Sequence, residues 1–101
     1  MIVRISRGSF EPARFSEIEQ RLRDSGATLV PAIRKLGGLL SYHAAIDRVS
    51  STMVNVSTWE TLEAAQQMGS LKEMLALAGE FEALGVKFER PIINYDTLWT
   101  L

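Results

Sequence analysis

Residues 52–59 alternate in a way that few folds accommodate. Val54 and Val56, flanked by Thr52 and Thr58, stand on one side of an extended chain, and Met53, Asn55, Ser57 and Trp59 stand on the other. A period of two predicts a β-strand over Thr52–Trp59, and the residues that follow predict that it runs straight into a helix. One face is apolar and the other mixes aromatic and polar groups. Burying the Asn55 amide without a partner would cost about 2–7 kcal/mol. The mixed face therefore lines a pocket for water or a small molecule, or it faces solvent.

The other elements fall in order around this strand. Ile2–Ser6 alternate and form a first strand, broken by Gly8 and Ser9. Pro12 suits the first turn of a helix, where its missing N–H costs nothing. Phe15, Ile18, Leu22, Leu29, Ile33 and Leu36 then recur on one helical face, with Gly26 in the gap between Leu22 and Leu29. Gly26 and Pro31 predict a bend or break between Ser25 and Pro31. Gly26 either only kinks the helix or leaves room above the sheet for a ligand. Gly37 and Gly38 end the helix, Leu39–Ile46 form a second strand, and Asp47–Ser51 make a hairpin turn. Helical sequence resumes near Thr61, is interrupted at Gly69, and restarts at Ser70–Glu73, a capping-box pattern. Leu71, Met74, Leu75, Ala78 and Phe81 continue the apolar face as far as Gly85. Val86–Trp99 form the last strand, which Pro91 puts at an edge, or bulges or breaks.

Strand, helix, strand, strand, helix, strand is the ferredoxin-like α+β pattern, an antiparallel sheet with helices on one face. Val3, Ile5, Val54 and Val56 occupy the other face and need cover, which a second copy supplies most simply. The apolar tail Leu98–Leu101 is expected to dock on that second subunit. A homodimer also suits a single domain of 101 residues, which buries a modest core alone. The net charge of −1 argues against a nucleic-acid partner. There is no cysteine, so disulfides and thiolate chemistry are excluded, and the single histidine, His43, rules out a multi-histidine metal site. The start of the chain lacks a secretion-signal pattern and no apolar run is long enough to span a bilayer. The expected setting is cytoplasmic, with no membrane contact.

Gly38-Leu39-Leu40-Ser41-Tyr42, the turn, and the run from Met53 through Trp59 and Glu60 to Ala65 resemble the dimeric α+β barrel proteins. More narrowly they resemble the antibiotic biosynthesis monooxygenase-like group, whose mark is a tryptophan ending the third strand before an acidic residue and an Ala-rich helix. The resemblance implies an activity without metal or flavin on an aromatic or polyketide-type molecule. It implies that Asn55 and Trp59, four apart on one strand, line the substrate cavity. A tyrosine used by some members early in the next helix is replaced by Ala65, a departure from their route. The histidine that binds iron in haem-degrading members has no counterpart in residues 60–84, so that activity is not expected.

Oxygenation without a cofactor needs a substrate that itself gives an electron to oxygen, such as a phenolate or enolate, held away from bulk water. Asn55 would donate hydrogen bonds to the developing oxyanion. Trp59 would stack on an aromatic ring, though it equally suits core packing at a strand end. His43 is the natural base, being the one side chain that ordinarily titrates near neutrality. Pairing His43 with Asn55 across the hairpin puts both on one face, whereas a one-residue shift puts Tyr42 there and sends His43 to the dimer side. Tyr42, Met53, Ser57, Gly26 and Met74 complete the expected lining. Three functions remain open: an oxygenase, a module that binds a small apolar ligand, or a structural dimer in which Met53, Trp59, Met68, Met74 and Phe81 fill the interior.

Overall fold

The computed structural model describes residues 1–101. Strand β1 (Ile2–Ser9) leads through a short 3-10 turn at Pro12–Arg14 into helix α1 (Phe15–Arg34). A hairpin follows, β2 (Leu39–Asp47) and β3 (Thr52–Trp59). Helix α2 (Leu62–Gln66), a 3-10 turn at Gln67–Ser70 and helix α3 (Lys72–Ala83) come next. The chain closes with β4 (Lys87–Phe88) and β5 (Ile93–Asp96). The sheet order is β2-β3-β1-β4, and β5 pairs with the same edge of β1 further along. This is the ferredoxin-like βαββαβ arrangement, an antiparallel sheet with its helices on one face.

The interior lies between the sheet and the helices. Ile18, Trp59 and Phe81 are its largest fully buried side chains, joined by Ile2, Phe15, Leu29, Ile33 and Met53. On α1 the inward stripe runs Ile18, Leu22, Ser25, Leu29, Ile33, the spacing of one helical face. Ser25, not Gly26, fills the gap and is only 3% exposed. Its hydroxyl donates to the Leu22 carbonyl at 2.6 Å, which makes a polar residue tolerable there.

The expected break at Ser25–Pro31 is absent, because α1 is one helix from Phe15 to Arg34 with Pro31 inside it. Ala27 and Pro31 are both exposed, so water can meet the carbonyl that Pro31 leaves unbonded one turn earlier. Nothing lies within 4 Å of the position a Gly26 Cβ would take, and Gly26 does not line the cavity described below. Gly26→Ala is expected to raise stability by about 0.5–1 kcal/mol through helix propensity alone. Urea denaturation at one protein concentration measures it, and a loss of stability would show that the glycine serves a need of the fold.

Three local expectations change. The first strand continues through Gly8, where a Cβ would lie 2.6 Å from Val86 Cγ1; the glycine lets the chain's last segment cross β1 closely. No capping box starts α3: Leu71 is its N-cap, and the Ser70 hydroxyl turns back to the Gln67 carbonyl. A single N-cap bond stands one helix earlier, where Thr61 Oγ1 accepts from the Ala64 N–H at 3.1 Å. The last strand is broken around Pro91, as expected, but ends at Asp96, short of Trp99. Gly38, at φ +83° between α1 and β2, sits where a Cβ would meet Ala64 Cβ at 2.6 Å, which fixes α2 against the start of β2.

Candidate functional site

Register decides which side chains share the interior face of the sheet. Trp59 pairs with Ile2, Ser57 with Arg4, Asn55 with Ser6 and Met53 with Gly8. Across the hairpin, Tyr42 pairs with Ser57, Ala44 with Asn55 and Ile46 with Met53. Beyond β1, Asn94 pairs with Arg4. One row across the sheet therefore reads Asn94, Arg4, Ser57, Tyr42, and the next reads Ser6, Asn55, Ala44. Under the helices these rows form a polar floor.

Above the floor lies a cavity of about 240 Å³. Leu22, Ser25 and Leu29 of α1 and Met74, Leu77 and Phe81 of α3 roof it, with Met68 at one side. Phe88, Arg90 and Ile92 lie along its rim. The volume is just under the roughly 300–1,000 Å³ of typical ligand pockets, room for a compact ligand. An apolar enclosure with a few convergent polar groups is the usual form of a small-molecule site.

Of the residues singled out in the sequence, Tyr42, Met53, Asn55, Ser57 and Met74 meet in this cavity. His43 does not. It pairs with Val56, so its side chain stands exposed on the open face of the sheet and does not line the cavity. A register shift in β2 between Leu39 and Ser41 sets which residue faces inward, and single-strand alternation does not reveal it. Trp59 does not line the cavity either. It is 0% exposed in the core, and its indole N–H donates to Ser57 Oγ at 2.8 Å. Its influence on the site passes through Ser57, whose hydroxyl proton is left free for the cavity side. Gly26 is absent from the lining, displaced by Leu22, Ser25 and Leu29.

Sequence reading missed Arg4, Ser6 and Arg90. The signal for Arg4 was present: an arginine at an interior-facing position of an alternating strand, two residues from buried Ile2. Arg4 Nη1 donates to Asn94 Oδ1 at 3.0 Å. Burial pushes the Arg4 pKa down, the neighbouring Tyr42 raises it and Arg90 lowers it. Burial pushes the Tyr42 phenol up to about 12, opposed in part by the Arg4 charge. The buried Tyr42 hydroxyl has no hydrogen-bond partner in the protein.

The Tyr42 shift has a stability consequence of definite sign. Below its ordinary value of 10.0 the phenol is protonated in the folded and unfolded chain alike. Between pH 10.0 and about 12 the unfolded chain releases the proton and the folded one does not. Folding stability is thus full below pH 10.0 and falls through that window, by roughly 2–3 kcal/mol for a shift of this size. Denaturant unfolding across the window, with Tyr42→Phe alongside, isolates the contribution. Parallel curves for the two proteins would place the phenol in water.

Fold and cavity together define a ferredoxin-like α+β protein built like the antibiotic biosynthesis monooxygenases, with the resemblance running the whole length of the chain. A Deinococcus radiodurans protein assigned by name to those monooxygenases superposes with a TM-score of 0.76 at 17% identity, covering 100% of this chain and 96% of its own. SnoaB, a cofactor-independent oxygenase from Streptomyces nogalater, gives 0.69 at 16% identity, covering 99% and 95%. The Pseudomonas aeruginosa protein PA3566 gives 0.65 at 21%, covering 97% and 94%. No family model matches the sequence, and no curated protein matches it. At these identities the likeness speaks for the fold. No helix is long and apolar enough to cross a membrane.

Proposed function

We propose that this protein binds a small, flat, mainly apolar aromatic or polyketide-type molecule in the cavity and oxygenates it without metal or flavin. The observation that carries the reading is the cavity itself, a polar floor with Asn55, Ser57, Arg4 and Tyr42 beneath an apolar roof. A planar molecule with oxygens along one edge matches that division. The oxygenase fold of SnoaB adds weight to the chemistry. In the reaction envisaged, a ring methylene of an anthrone-like substrate becomes a carbonyl: one atom of O2 enters the ring and the other leaves as water with the two hydrogens. The anion of the substrate supplies the electrons, Asn55 donates to its oxygen, and the apolar roof limits water.

A second reading, a non-catalytic carrier for such a molecule, draws on one observation: the lining contains no His, Asp or Glu to accept a proton. Oxygen uptake separates the two. Metal-free protein given anthrone is expected to consume O2 above the buffer rate, with Asn55→Ala at least about tenfold slower, the scale of a lost oxyanion donor. Tight anthrone binding with no uptake above buffer would make the protein a carrier.

Two copies are proposed to pair through the open sheet face, where His43, Val56, Ile5 and Ile93 form one row and Val3 and Tyr95 lie beside it. Ile93 is 50% exposed, and Leu98 and Trp99 of the tail stand out at 92% and 77%. So much exposed apolar surface on a small domain suits burial against a partner.

A further inference from the structure

We infer that the ligand carries an anionic oxygen conjugated to its apolar body, and that Arg4 and Tyr42 together receive it. The inference rests on the cavity being a ligand site and adds the charge of what enters. Arg4 and Tyr42 both pair with Ser57, from β1 and β2, so they flank one point of the floor. The side-chain partner of Arg4 is the neutral amide of Asn94, which orients the guanidinium without neutralising it. The ion pairs of the molecule use Arg14, Arg21 and Arg23, and none engages Arg4 or Arg90. The chain has 12 acidic residues against 11 basic ones, yet the lining holds two arginines and no carboxylate. Folding has thus gathered two positive charges around a mainly apolar cavity of a nearly neutral protein.

Two unmet needs coincide there. A buried hydroxyl with no acceptor and a half-buried guanidinium with no counter-charge each cost stability, and one anionic oxygen between them answers both. A neutral alcohol answers only the first. A guanidinium beside that oxygen also favours the ionised form of a bound phenol or enol. The cavity then needs no strong base, which fits the placement of His43 on the other face. Carboxylates and phenolates share this chemistry.

Three naphthalene probes of matched size test it by calorimetric titration: 2-naphthoate, 2-naphthol and the neutral 2-naphthalenemethanol. Naphthoate is expected to bind at least about tenfold more tightly than the alcohol, the scale of a charge-assisted hydrogen bond. Arg4→Gln is expected to bring that ratio close to one, while Arg23→Gln, which removes a like charge from the surface, keeps it. Bound 2-naphthol, followed by its naphtholate absorption, is expected to ionise at lower pH in the wild type than in Arg4→Gln. The naphthoate result alone supports a carboxylate as the natural group, and the naphthol shift supports a phenolate. Equal binding of the three probes, or a preference that survives Arg4→Gln, overturns the inference and leaves the cavity a neutral-ligand site. Binding of none of them overturns the ligand site itself.

Discussion

Trp59→Ala is expected to cost about 3–5 kcal/mol of folding stability, the range for removing a large aromatic from a core. A domain of this size holds roughly 5–15 kcal/mol in total, so the variant would be partly unfolded at modest denaturant. The indole is fully buried at the end of β3, opposite Ile2 on one side and Leu39 on the other. The loss has a second part. Ser57 Oγ gives up the donor that orients it, and Ser57 faces the cavity. Trp59→Phe separates the two, keeping most of the volume while removing the N–H, at about 1 kcal/mol. Urea unfolding at a single protein concentration measures both, since dimerisation would otherwise shift the midpoint. A Trp59→Ala loss under 1 kcal/mol would mean that the side chain is not the packed core residue described above.

This role for Trp59 shows where sequence reading stopped. The alternation of residues 52–59 placed Met53, Asn55, Ser57 and Trp59 on one face, and the structure keeps them together. Alternation says nothing about how far along a shared face the helices stop touching the sheet. Near Trp59 they pack directly, whereas at Met53, Asn55 and Ser57 the space stays open. The fold was legible because the order of elements depends on local patterns: the stripe of α1, the glycine pair before β2, and the proline in the last strand. The site was half legible because it depends on pairing. Tyr42 or His43 faces inward according to one residue of register, and the shift between Leu39 and Ser41 makes that choice through the bulged backbone at Leu40. Arg4 is hard to see because the alternation of Ile2–Ser6 is carried by its apolar members, and an arginine in such a strand equally suits the solvent face. Ser25 was missed because a helical stripe was expected to be filled by an apolar residue or left empty by a glycine, and a serine bonded to its own helix does neither.

Val56→Asp is expected to turn a dimer into a monomer while leaving the cavity in place. Val56 lies mid-sheet on the open face, between His43 and Ile5, with Ile93 one strand further. If two such faces pack together, the substitution puts a carboxylate from each copy into the contact, with His43 as its one polar neighbour in the row. Desolvating two like charges there is expected to cost about 3 kcal/mol, which weakens association about 100-fold. In the monomer the same carboxylate meets water, so the fold itself should tolerate it. Light scattering after size exclusion is expected to give twice the chain mass for the wild type at micromolar concentration and the single mass for Val56→Asp. The wild-type melting temperature should rise with protein concentration and that of the variant should not. A wild-type monomer would leave the row His43, Val56, Ile5 and Ile93 uncovered and end the dimer reading. A variant that stays dimeric would move the interface elsewhere, with the tail residues Leu98 and Trp99 the next surface to change.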